Sequence, residues 1–406
     1  MILTRLVGGD YVDSETVLGD VSVLDMSEGV AGPLCTQLLA DLGAQVLKVE
    51  RPGLGDASRS AGPFLTDGAG QRHSALFLSL NQSKKGITLN VETKDGKRVL
   101  KELAQEHDIL VESFPPGHLA GLGLDYPVLA QVNPGLVFTS ITPFGQTGPY
   151  RDYSTSDIVA QAIGALMYPI GLPGREPLKV GGNAAMYTTG VSAFSATMIA
   201  LYARDCGGTG QHVDISAMEA VTVAQIHSSI HSQFGRSPER RETNLVRAKD
   251  GWISPGLETG VQSETWDRAC DLMGVPELKE DPRFNTPQSR RENQQELLEV
   301  VGCWTSGVAK EQVYHTLQGL RSIAGYVATV ADLLDSQQLA SRNFWQSTEV
   351  GSGVTGFLPG PPFKMEGGSD ARFSAPTLGQ HNQDVFCGRL GYSTAELEQL
   401  IRLGVV

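Results

Sequence analysis

The sequence predicts an α/β protein whose first domain is a doubly wound parallel sheet covered by helices. The first observation is an alternation of β-branched apolar runs with stretches of helical periodicity across the N-terminal third. The second is that glycine-containing loops follow two of the predicted strands, where such sheets bind ligands. A chain of 406 residues is also long enough for a large core and more than one domain.

The first predicted β-α-β unit opens the chain. DVSVLDM (20–26) predicts a strand, GPLCTQLLADLGA (32–44) a helix that ends at Gly43, and QVLKVE (45–50) the next strand. The alternation continues with GITLNV (86–91), the helix TKDGKRVLKELAQEH (93–107), DILVES (108–113) and LVFTSI (136–141). Because strands separated by helices pair in parallel, these segments predict one covered sheet.

A later helix is predicted to begin after a glycine turn. GGNAAMYTTG (181–190) is typical of a tight turn that runs into a helix, which continues through TTGVSAFSATMIALYAR (188–204). A loop of this kind often holds a catalytic side chain near the partial positive charge of the helix N-terminus. Its central residue is Met186, whose thioether is neither an acid nor a base and usually serves packing.

Charge and hydropathy exclude several classes of function. The net charge of −13 argues against a nucleic-acid partner, because such binding depends on clustered lysine and arginine. The chain has no run of eighteen apolar residues and no basic-then-apolar stretch in MILTRLVGGDYVDSE. We therefore expect an untargeted cytoplasmic protein without a membrane segment.

The cysteines and histidines indicate neither disulfide bonds nor a metal site. The five cysteines are scattered, odd in number and without a CxxC motif: Cys35, Cys206, Cys270, Cys303 and Cys387. His227 and His231 stand four residues apart in HSSIH, a spacing that suits metal binding on a helix face. The motif has no acidic third ligand, so surface or packing histidines are the favoured interpretation.

Two loops are candidates for ligand binding. SEGVAGP (27–33) lies at the first predicted strand-helix turn, and ERPGLGDASR (50–59) follows the second strand. Loops at the carboxyl ends of parallel strands bind ligands, and helix N-termini favour phosphate groups, so a nucleotide-like ligand is compatible with this pattern. GVAGP lacks the GxGxxG spacing of dinucleotide-binding loops, and the glycines alone also fit ordinary tight turns.

Long motifs along nearly the whole chain resemble those of the class III CoA-transferase family, also called CaiB/BaiF. They agree in order and spacing and read VLDMSEGVAGPLCTQLLADLGAQVLKVERPGLGD, NQSKKGITLNV, LVESFPPGHLAGLGLDY, NPGLVFTSITPFGQTGPYRDY, GGTGQHVDIS and LGQHNQDVFCGRLGYSTAELEQLIRLGVV. The resemblance implies a large Rossmann-like domain formed by residues 1–225 and 336–406, and a smaller α+β domain at 226–335. It also implies a dimer whose two chains interlock.

The family resemblance implies a carboxylate nucleophile that this chain lacks. In the family an aspartate attacks the acyl-CoA thioester, which divides the exchange into easier covalent steps. Counted back from GTGQ (208–211), the family's aspartate falls on Met186. Racemases of the family pair it with a histidine, whose position matches Ser156. Glu28 and Asp157 are the nearby carboxylates, and solvated or capping roles are the favoured interpretation for both.

The implied CoA site also departs from the family pattern. Family members resemble NFRPGxxxRLG where this chain reads SFPPGHLAGLG (113–123), so Pro115 and Gly121 replace two arginines near the CoA phosphates. Arginine suits phosphate through its permanent charge and several donors, so we expect weakened CoA binding, with the tight site mainly on a partner. The remaining basic and groove-lining candidates are Arg51, Lys84, Lys85, Val30, Ala31, Leu89 and Phe114.

These departures predict a subunit kept for structure in a heteromeric class III CoA-transferase, paired with a homologous chain that carries the aspartate. The chain resembles heteromeric members that act on succinyl-CoA and (R)-benzylsuccinate in anaerobic toluene degradation, which implies a CoA thioester as substrate and no other cofactor. Two alternatives stay open. One is a self-sufficient transferase or lyase with a relocated carboxylate, and the other is a scaffold or binding protein without CoA chemistry.

Overall fold

The computed structural model describes residues 16–235, 244–257, 263–350, 354–365 and 373–406. The chain forms two compact units. The first contains residues 1–171, 175–239 and 343–406, and the second contains 172–174 and 240–342. This division differs from the predicted boundaries at 226 and 335, because the first unit extends through residue 239 and the second through residue 342.

The first part of the large unit alternates strands and helices. In chain order its elements are β1 (Ser22–Met26), α1 (Ala31–Asp41), β2 (Gln45–Glu50), β3 (Phe64–Thr66), β4 (Arg72–Ser74), α2 (Ala75–Leu80), β5 (Lys84–Thr88), α3 (Lys94–Glu106), β6 (Ile109–Glu112), α4 (His118–Leu122), α5 (Tyr126–Val132), β7 (Val137–Thr142), α6 (Asp157–Ile163), α7 (Ala184–Gly207), β8 (His212–Ser216), α8 (Ala217–Val223) and α9 (Ile226–Gln233).

Six of these strands form one parallel sheet in the order β5-β2-β1-β6-β7-β8. This is the order of a Rossmann-type sheet, in which the chain returns to the centre after its third strand. The predicted doubly wound α/β fold is thereby confirmed. The strand order reverses between β1 and β6, and the loops that follow these two strands border the crevice where such sheets bind ligands.

Hydrophobic cores cover both faces of the sheet. Alternate residues of a strand point to opposite faces, so Leu24 and Leu110 belong to one core while Val23 and Ile109 belong to the other. Helices α3 and α5 contribute to the first core, and α1 and α7 contribute to the second. A strand buried on both faces is mostly apolar, as β1 and β6 are, with Asp25 and Glu112 as their buried acidic exceptions.

Helix α7 is long, apolar and partly exposed. Among the described residues it is the one helix with the length and composition to cross a membrane. It packs instead along α1, where Gly190 allows the two backbones to approach closely: a Cβ at this position would lie 2.7 Å from the carbonyl oxygen of Ala31. Ala193 and Thr197 on the same side are fully buried, as in the core helix of a globular domain.

The second unit combines a small antiparallel sheet with helices, as predicted for the smaller domain. Its strands β9 (Val246–Ala248), β10 (Gly251–Ser254) and β11 (Gly325–Tyr326) pair in the order β11-β10-β9, and its core surrounds Trp266. Its α-helices are α10 (Ser263–Met273), α11 (Pro287–Glu292), α12 (Gln294–Thr305), α13 (Lys310–Gly319), α14 (Val330–Leu334) and α15 (Gln337–Ser341).

The C-terminal segment returns to the large unit. It contains β12 (Trp345–Val350), β13 (Val354–Pro359), a π-helical turn (Asp384–Arg389) and α16 (Thr394–Arg402). The Asn382 side-chain amide donates to Thr88 Oγ1 at 2.8 Å, and the backbone of Asn90 donates to the carbonyl oxygen of Val405 at 2.7 Å. The C-terminal segment therefore packs beside the edge strand β5 of the large sheet.

Candidate functional site

The crevice at the carboxyl ends of β1 and β6 brings three loops together. The backbone N–H of Glu28, after β1, donates to Ser113 Oγ, after β6, at 2.9 Å. The neighbouring N–H of Gly29 donates to Asp56 Oδ1, after β2, at 3.0 Å. Val30 and Phe114 lie on these loops half-buried, and the Phe114 ring stacks on His118 with centroids 5.0 Å apart. The structure thus places two predicted CoA-contacting residues at one crevice.

The remaining predicted groove residues occupy different environments. The side chains of Ala31 and Leu89 are buried, each in the core on one face of the sheet. Arg51 is exposed after β2 and forms an ion pair with Glu92 at 3.6 Å, while Lys85 is exposed on β5. A ligand in the crevice would therefore contact Val30, Phe114 and Arg51 more readily than the Leu89 side chain. Their role in binding CoA stays a prediction.

Lys84 does not belong to the ligand surface, which corrects its selection as a basic candidate. Its ammonium lies inside the domain, 3.0 Å from Asp25 Oδ2, 2.8 Å from Thr36 Oγ1 and 2.9 Å from Asn81 Oδ1. Burial lowers the pKa of Lys84 to about 8, and the attraction of Asp25 opposes that effect only in part. The position looked ligand-facing because an isolated KK pair in the sequence carries no sign of which lysine is buried.

The buried charges form a network that fixes the crevice loops. Lys48 Nζ lies 2.9 Å from Asp56 Oδ2 and donates to the carbonyl oxygen of Ser27 at 2.9 Å. Burial favours neutral Asp25, yet Lys48, Lys84 and two hydroxyls outweigh it and hold the pKa of this carboxyl well below its usual range. Removing one member of such a pair strands a buried charge and costs about 3–5 kcal/mol.

The N-terminus of α7 carries a carboxylate, but it comes from Asp157 instead of residue 186. Asp157 Oδ1 accepts hydrogen bonds from the backbone N–H groups of Ala185 at 3.0 Å and Met186 at 3.3 Å. Its Oδ2 accepts from Gln161 at 2.6 Å and forms an ion pair with Lys179 at 2.9 Å. These contacts agree with the capping interpretation of Asp157, and the position that sequence reasoning assigns to the nucleophile lies directly beside it.

Met186 itself is packing material in this structure. Its side chain is half-buried and contacts two hydrophobic clusters, one of which contains Ala160 and Val221. A thioether there stabilises the α7 start by apolar contact and offers no proton or lone pair of useful basicity. Ser156, which matches the racemase histidine position, precedes α6 as its exposed N-cap residue. A hydroxyl at this position cannot replace an imidazole base.

Glu28 lies on a different loop and in a different electrostatic setting. It is exposed at the rim of the crevice, and partial burial together with the negative charge of Asp56 raises the pKa of its carboxyl. Asp157, not Glu28, is the carboxylate at the helix that should carry the nucleophile. The two acids for which the sequence favoured the same interpretation therefore lie in different surroundings.

A second cavity, of about 340 Å³, was missed by sequence reasoning. On its floor Ser140 Oγ lies 2.9 Å from His212 Nε2, and Glu112 lines the same cavity. Glu112 is 4% exposed, and burial raises its pKa to about 7. The rim of the cavity includes Pro115 and Arg151. The available signal was the acidic end of the apolar run ILVE, since an acid that closes a buried strand lies at the ligand-binding edge.

Metal and disulfide chemistry find no structural support within the described residues. There, no group of three or more histidine, cysteine, aspartate or glutamate residues is arranged to hold a metal ion. All five cysteines are free thiols, with Cys35 and Cys270 buried. Helix α9 includes His227 and His231, whose side chains lie outside the described residues.

Comparisons with known proteins agree with this architecture. The chain is 33% identical to succinyl-CoA–D-citramalate CoA-transferase of Chloroflexus aurantiacus over 94% of this chain and 96% of that protein. It is 31% identical to subunit BbsE of succinyl-CoA:(R)-benzylsuccinate CoA-transferase of Thauera aromatica, over 95% and 97% of the two chains. A CAIB/BAIF family protein from Brucella suis superposes with a TM-score of 0.80 at 30% identity, covering 95% and 99%. The profile of CoA-transferase family III matches residues 18–382, so the chain belongs to this family.

Proposed function

We propose that this chain is the non-catalytic subunit of a heteromeric CoA-transferase, whose homologous partner supplies the nucleophilic aspartate. The complex moves CoA from a donor acyl-CoA to an acceptor carboxylic acid. The observation that carries the proposal is Met186 at the start of α7, with the helix N–H groups already bound by Asp157. A covalent mechanism needs a carboxylate free to attack the thioester, and this helix start offers none.

The state of Asp157 supports this conclusion. One oxygen accepts two backbone N–H groups, the other is held by Gln161 and Lys179, and the side chain is 10% exposed. Each hydrogen bond stabilises the carboxylate in its ground state, so attack on a thioester would require giving up several of them. Asp157 therefore acts as a structural cap that preserves the local fold without the chemistry.

Exposed apolar side chains on the large unit support the proposal that a partner chain binds there. Along α7 the residues Tyr187, Val191, Ile199 and Tyr202 form an exposed stripe at helical spacing. Further exposed apolar side chains follow in and beside α8 and α9, including Val223 and Phe234. Exposed apolar surface of this kind marks an interaction site. A homologous chain has the same fold, so we propose that it presents a similar surface with which this one pairs.

The substrates are proposed from the relatives. Succinyl-CoA is the donor named for both the D-citramalate enzyme and the benzylsuccinate enzyme, so we take it as the donor here. The acceptor is a carboxylic acid, and benzylsuccinate is our first choice because the BbsE subunit is itself part of a heteromeric enzyme. Exchange assays with the co-expressed complex and a panel of dicarboxylic acids test this choice.

Trapping the covalent intermediate tests the subunit role. The complex is incubated with acyl-CoA, quenched with hydroxylamine or borohydride during turnover, and mapped by peptide mass spectrometry. We expect the modified carboxylate only on the partner chain. The Met186→Ala variant should leave the rate of the complex nearly unchanged, whereas removing the partner's aspartate should lower it on the order of a millionfold.

A gain-of-function variant adds a stricter test. Met186→Asp should not create a second working site, because its carboxylate would enter next to Asp157 and would still need bound thioester and oxyanion donors. Restored covalent labelling of this chain in Met186→Asp would contradict our account of the helix start.

One alternative is favoured by a specific contact. Asp157 is a carboxylate at the start of α7, within hydrogen-bonding distance of the Met186 backbone, so a relocated nucleophile would be found there. The same trapping experiment decides between the two, since a labelled Asp157 peptide would make this chain a catalytic subunit. Failure of any homologous chain to associate, with no exchange activity, would instead favour a scaffold protein.

A further inference from the structure

We propose that Arg151 binds a phosphate group of CoA and stands in for the two arginines that Pro115 and Gly121 replace. This inference rests on the proposed function, since it assigns a contact to the CoA that the transferase uses. It concerns only binding by this chain, and it does not require the chain to carry a nucleophile.

Arg151 lies against the loop that lost the arginines. Its Nη2 atom is 3.4 Å from the point that a Cβ of Gly117 would occupy, so the guanidinium covers the backbone of this loop. It lines the 340 Å³ cavity together with Pro115, Gly117 and Ala120. Ala120 is the neighbour of Gly121, and both lie on α4. The guanidinium of Arg151, from the segment after β7, thus lies beside the loop that follows β6.

The guanidinium has donors to spare. Its Nε donates to Asp152 at 3.2 Å, and the side chain is 41% exposed. A guanidinium carries five N–H donors in a planar fork that matches phosphate oxygens, so one contact to a neighbouring carboxylate leaves most of them for a ligand. The other basic candidates are less suitable, since Lys84 is buried in its ionic network and Arg51, on the loop after β2, does not line this cavity.

The charges around the cavity restrict where a phosphate can bind. Asp125 and Glu112 line it, and Asp214 is held nearby by the backbone N–H of Gln146 at 3.0 Å. Carboxylates repel phosphate, so the favourable place is beside the guanidinium of Arg151, next to Gly117 and Pro115, where the neighbouring acid Asp152 is already paired with it. Burial also raises the pKa of Glu112 to about 7, which reduces the negative charge on the floor below that pH.

Titration calorimetry with the full-length chain in its purified assembly tests the contact. CoA and 3′-dephospho-CoA are titrated into the wild type and into Arg151→Ala. We expect Arg151→Ala to weaken CoA binding at the site on this chain, fitted separately from the tight site on the partner, at least about tenfold, as for the loss of a charge-assisted contact. If dephospho-CoA binding is unaffected, the contact is to the 3′-phosphate, and if both ligands weaken equally, it is to the diphosphate.

Arg175→Ala is the matched control. Arg175 is likewise an exposed arginine of the large unit whose Nε faces the carboxylate of the next residue, Glu176, at 3.7 Å. Its removal changes the net charge by the same amount and should leave CoA binding unchanged. An equal loss in both variants would mean that only net charge matters and would overturn the proposal.

A rescue variant separates a binding role from misfolding. A side chain at Gly121 would meet open space, so Gly121→Arg can restore a cation at the family's position. Gly121→Arg in the Arg151→Ala background should recover most of the CoA affinity. Unchanged CoA affinity in Arg151→Ala, or no CoA binding by the wild-type assembly, would refute the inference. Adduct mapping tests the subunit role separately, because it follows the nucleophile and not this contact.

Discussion

Glu112 is a buried acid whose titration should be visible in the stability of the protein. It ends β6 at 4% exposure, and burial raises its pKa from 4.5 to about 7. Between these two values the folded state binds more protons than the unfolded state, so the free energy of unfolding falls as pH rises from about 4.5 to 7. Above about pH 7 Glu112 is ionised in both states, and its burial lowers the free energy of unfolding by a constant amount of roughly 3 kcal/mol.

Glu112→Gln should remove this dependence. An amide oxygen can still accept from the Phe114 N–H, which donates to Glu112 Oε2 at 2.7 Å, while the ionisable group is gone. Compared by urea denaturation, the variant should gain stability over the wild type as pH rises from 5 to 8. Buried His107 titrates in both proteins and cancels in the difference. A constant difference across this range would show that Glu112 is ionised throughout.

At the residue scale, sequence reasoning found positions more reliably than environments. Two backbone contacts agree with the capping role that it favoured for Asp157, while the assignment of the family's nucleophile position to Met186 stays a prediction. Sequence reasoning misjudged Lys84, and it did not see Glu112 or Arg151. These misses have one cause: burial and ion pairing depend on residues far apart in the chain, as with Lys84 and Asp25, whose contact joins residues 59 apart.

The start of helix α7 gives a prediction at the scale of an element. Asp157→Ala would remove the acceptor for the Ala185 and Met186 N–H groups and leave Lys179 without its ion pair. Loss of a capping acid costs about 1–2 kcal/mol. We expect chemical denaturation to show a loss of this size and hydrogen exchange to accelerate at residues 184–188.

Asp152→Ala is the control for the Asp157 variant. Asp152 is also an acid paired with a neighbouring basic residue, but it is exposed and its partner is Arg151 on the surface. Its removal should change stability by less than about 0.5 kcal/mol. Equal losses of stability in the two variants would mean that Asp157 stabilises the fold only through its charge and not by capping helix α7.

Contact between α7 and α1 gives a second prediction at this scale. In Gly190→Ala the new methyl group would lie 2.7 Å from the Ala31 carbonyl oxygen and 2.9 Å from Leu34. Overpacking of this kind costs about 1–3 kcal/mol, which exceeds the gain of about 1 kcal/mol from helix propensity. Thermal denaturation should therefore show a lower Tm for Gly190→Ala.

Gly207 provides the matched control within the same helix. A methyl group there would meet no atom within 4 Å, so Gly207→Ala should keep or slightly raise the Tm. If both glycine variants lower the Tm equally, the close approach of α7 to α1 is not what requires glycine at position 190.

Elements with strong periodicity were predictable. The strands predicted at 20–26 and 45–50 correspond to β1 and β2, and the helix predicted at 93–107 corresponds to α3. The hairpin of β3 and β4 has strands of three residues each, too short for a periodic pattern. The π-helical turn at residues 384–389 carries no sequence signal that distinguishes it from an α-helix.

For the whole molecule, the large domain depends on pairing between distant parts of the chain. Strand β5 sits at one edge of the sheet, where the C-terminal segment contacts it through His381, whose Nδ1 accepts from the Gly86 N–H at 3.0 Å. Local sequence patterns predict the strands, but they do not predict that the C-terminal segment packs against the edge strand β5. The resemblance to a known family supplied that information, and the family profile across residues 18–382 agrees with it.

Assembly is the prediction that belongs to this scale. On the α7 stripe the side chains of Ile199 and Tyr202 are 69% and 72% exposed. In the isolated chain this apolar surface stays in contact with water, which is unfavourable, whereas a partner chain would bury it. We expect the isolated chain to be poorly soluble or to form an inactive homodimer, and co-expression with the homologous subunit to give a stable mixed complex. Native mass spectrometry reports the composition.

A charge on the stripe should prevent that complex. Ile199→Glu places a carboxylate in the apolar interface, where desolvation disfavours it, and should reduce the mixed complex at least tenfold. Val330→Glu in the second unit, where Val330 is 76% exposed on α14, makes the same chemical change outside the stripe and should assemble normally. If Ile199→Glu assembles normally while wild type binds lipid vesicles, the stripe faces a membrane and the partner contacts another surface. Full exchange activity from a homodimer of this chain would show that no second subunit is needed.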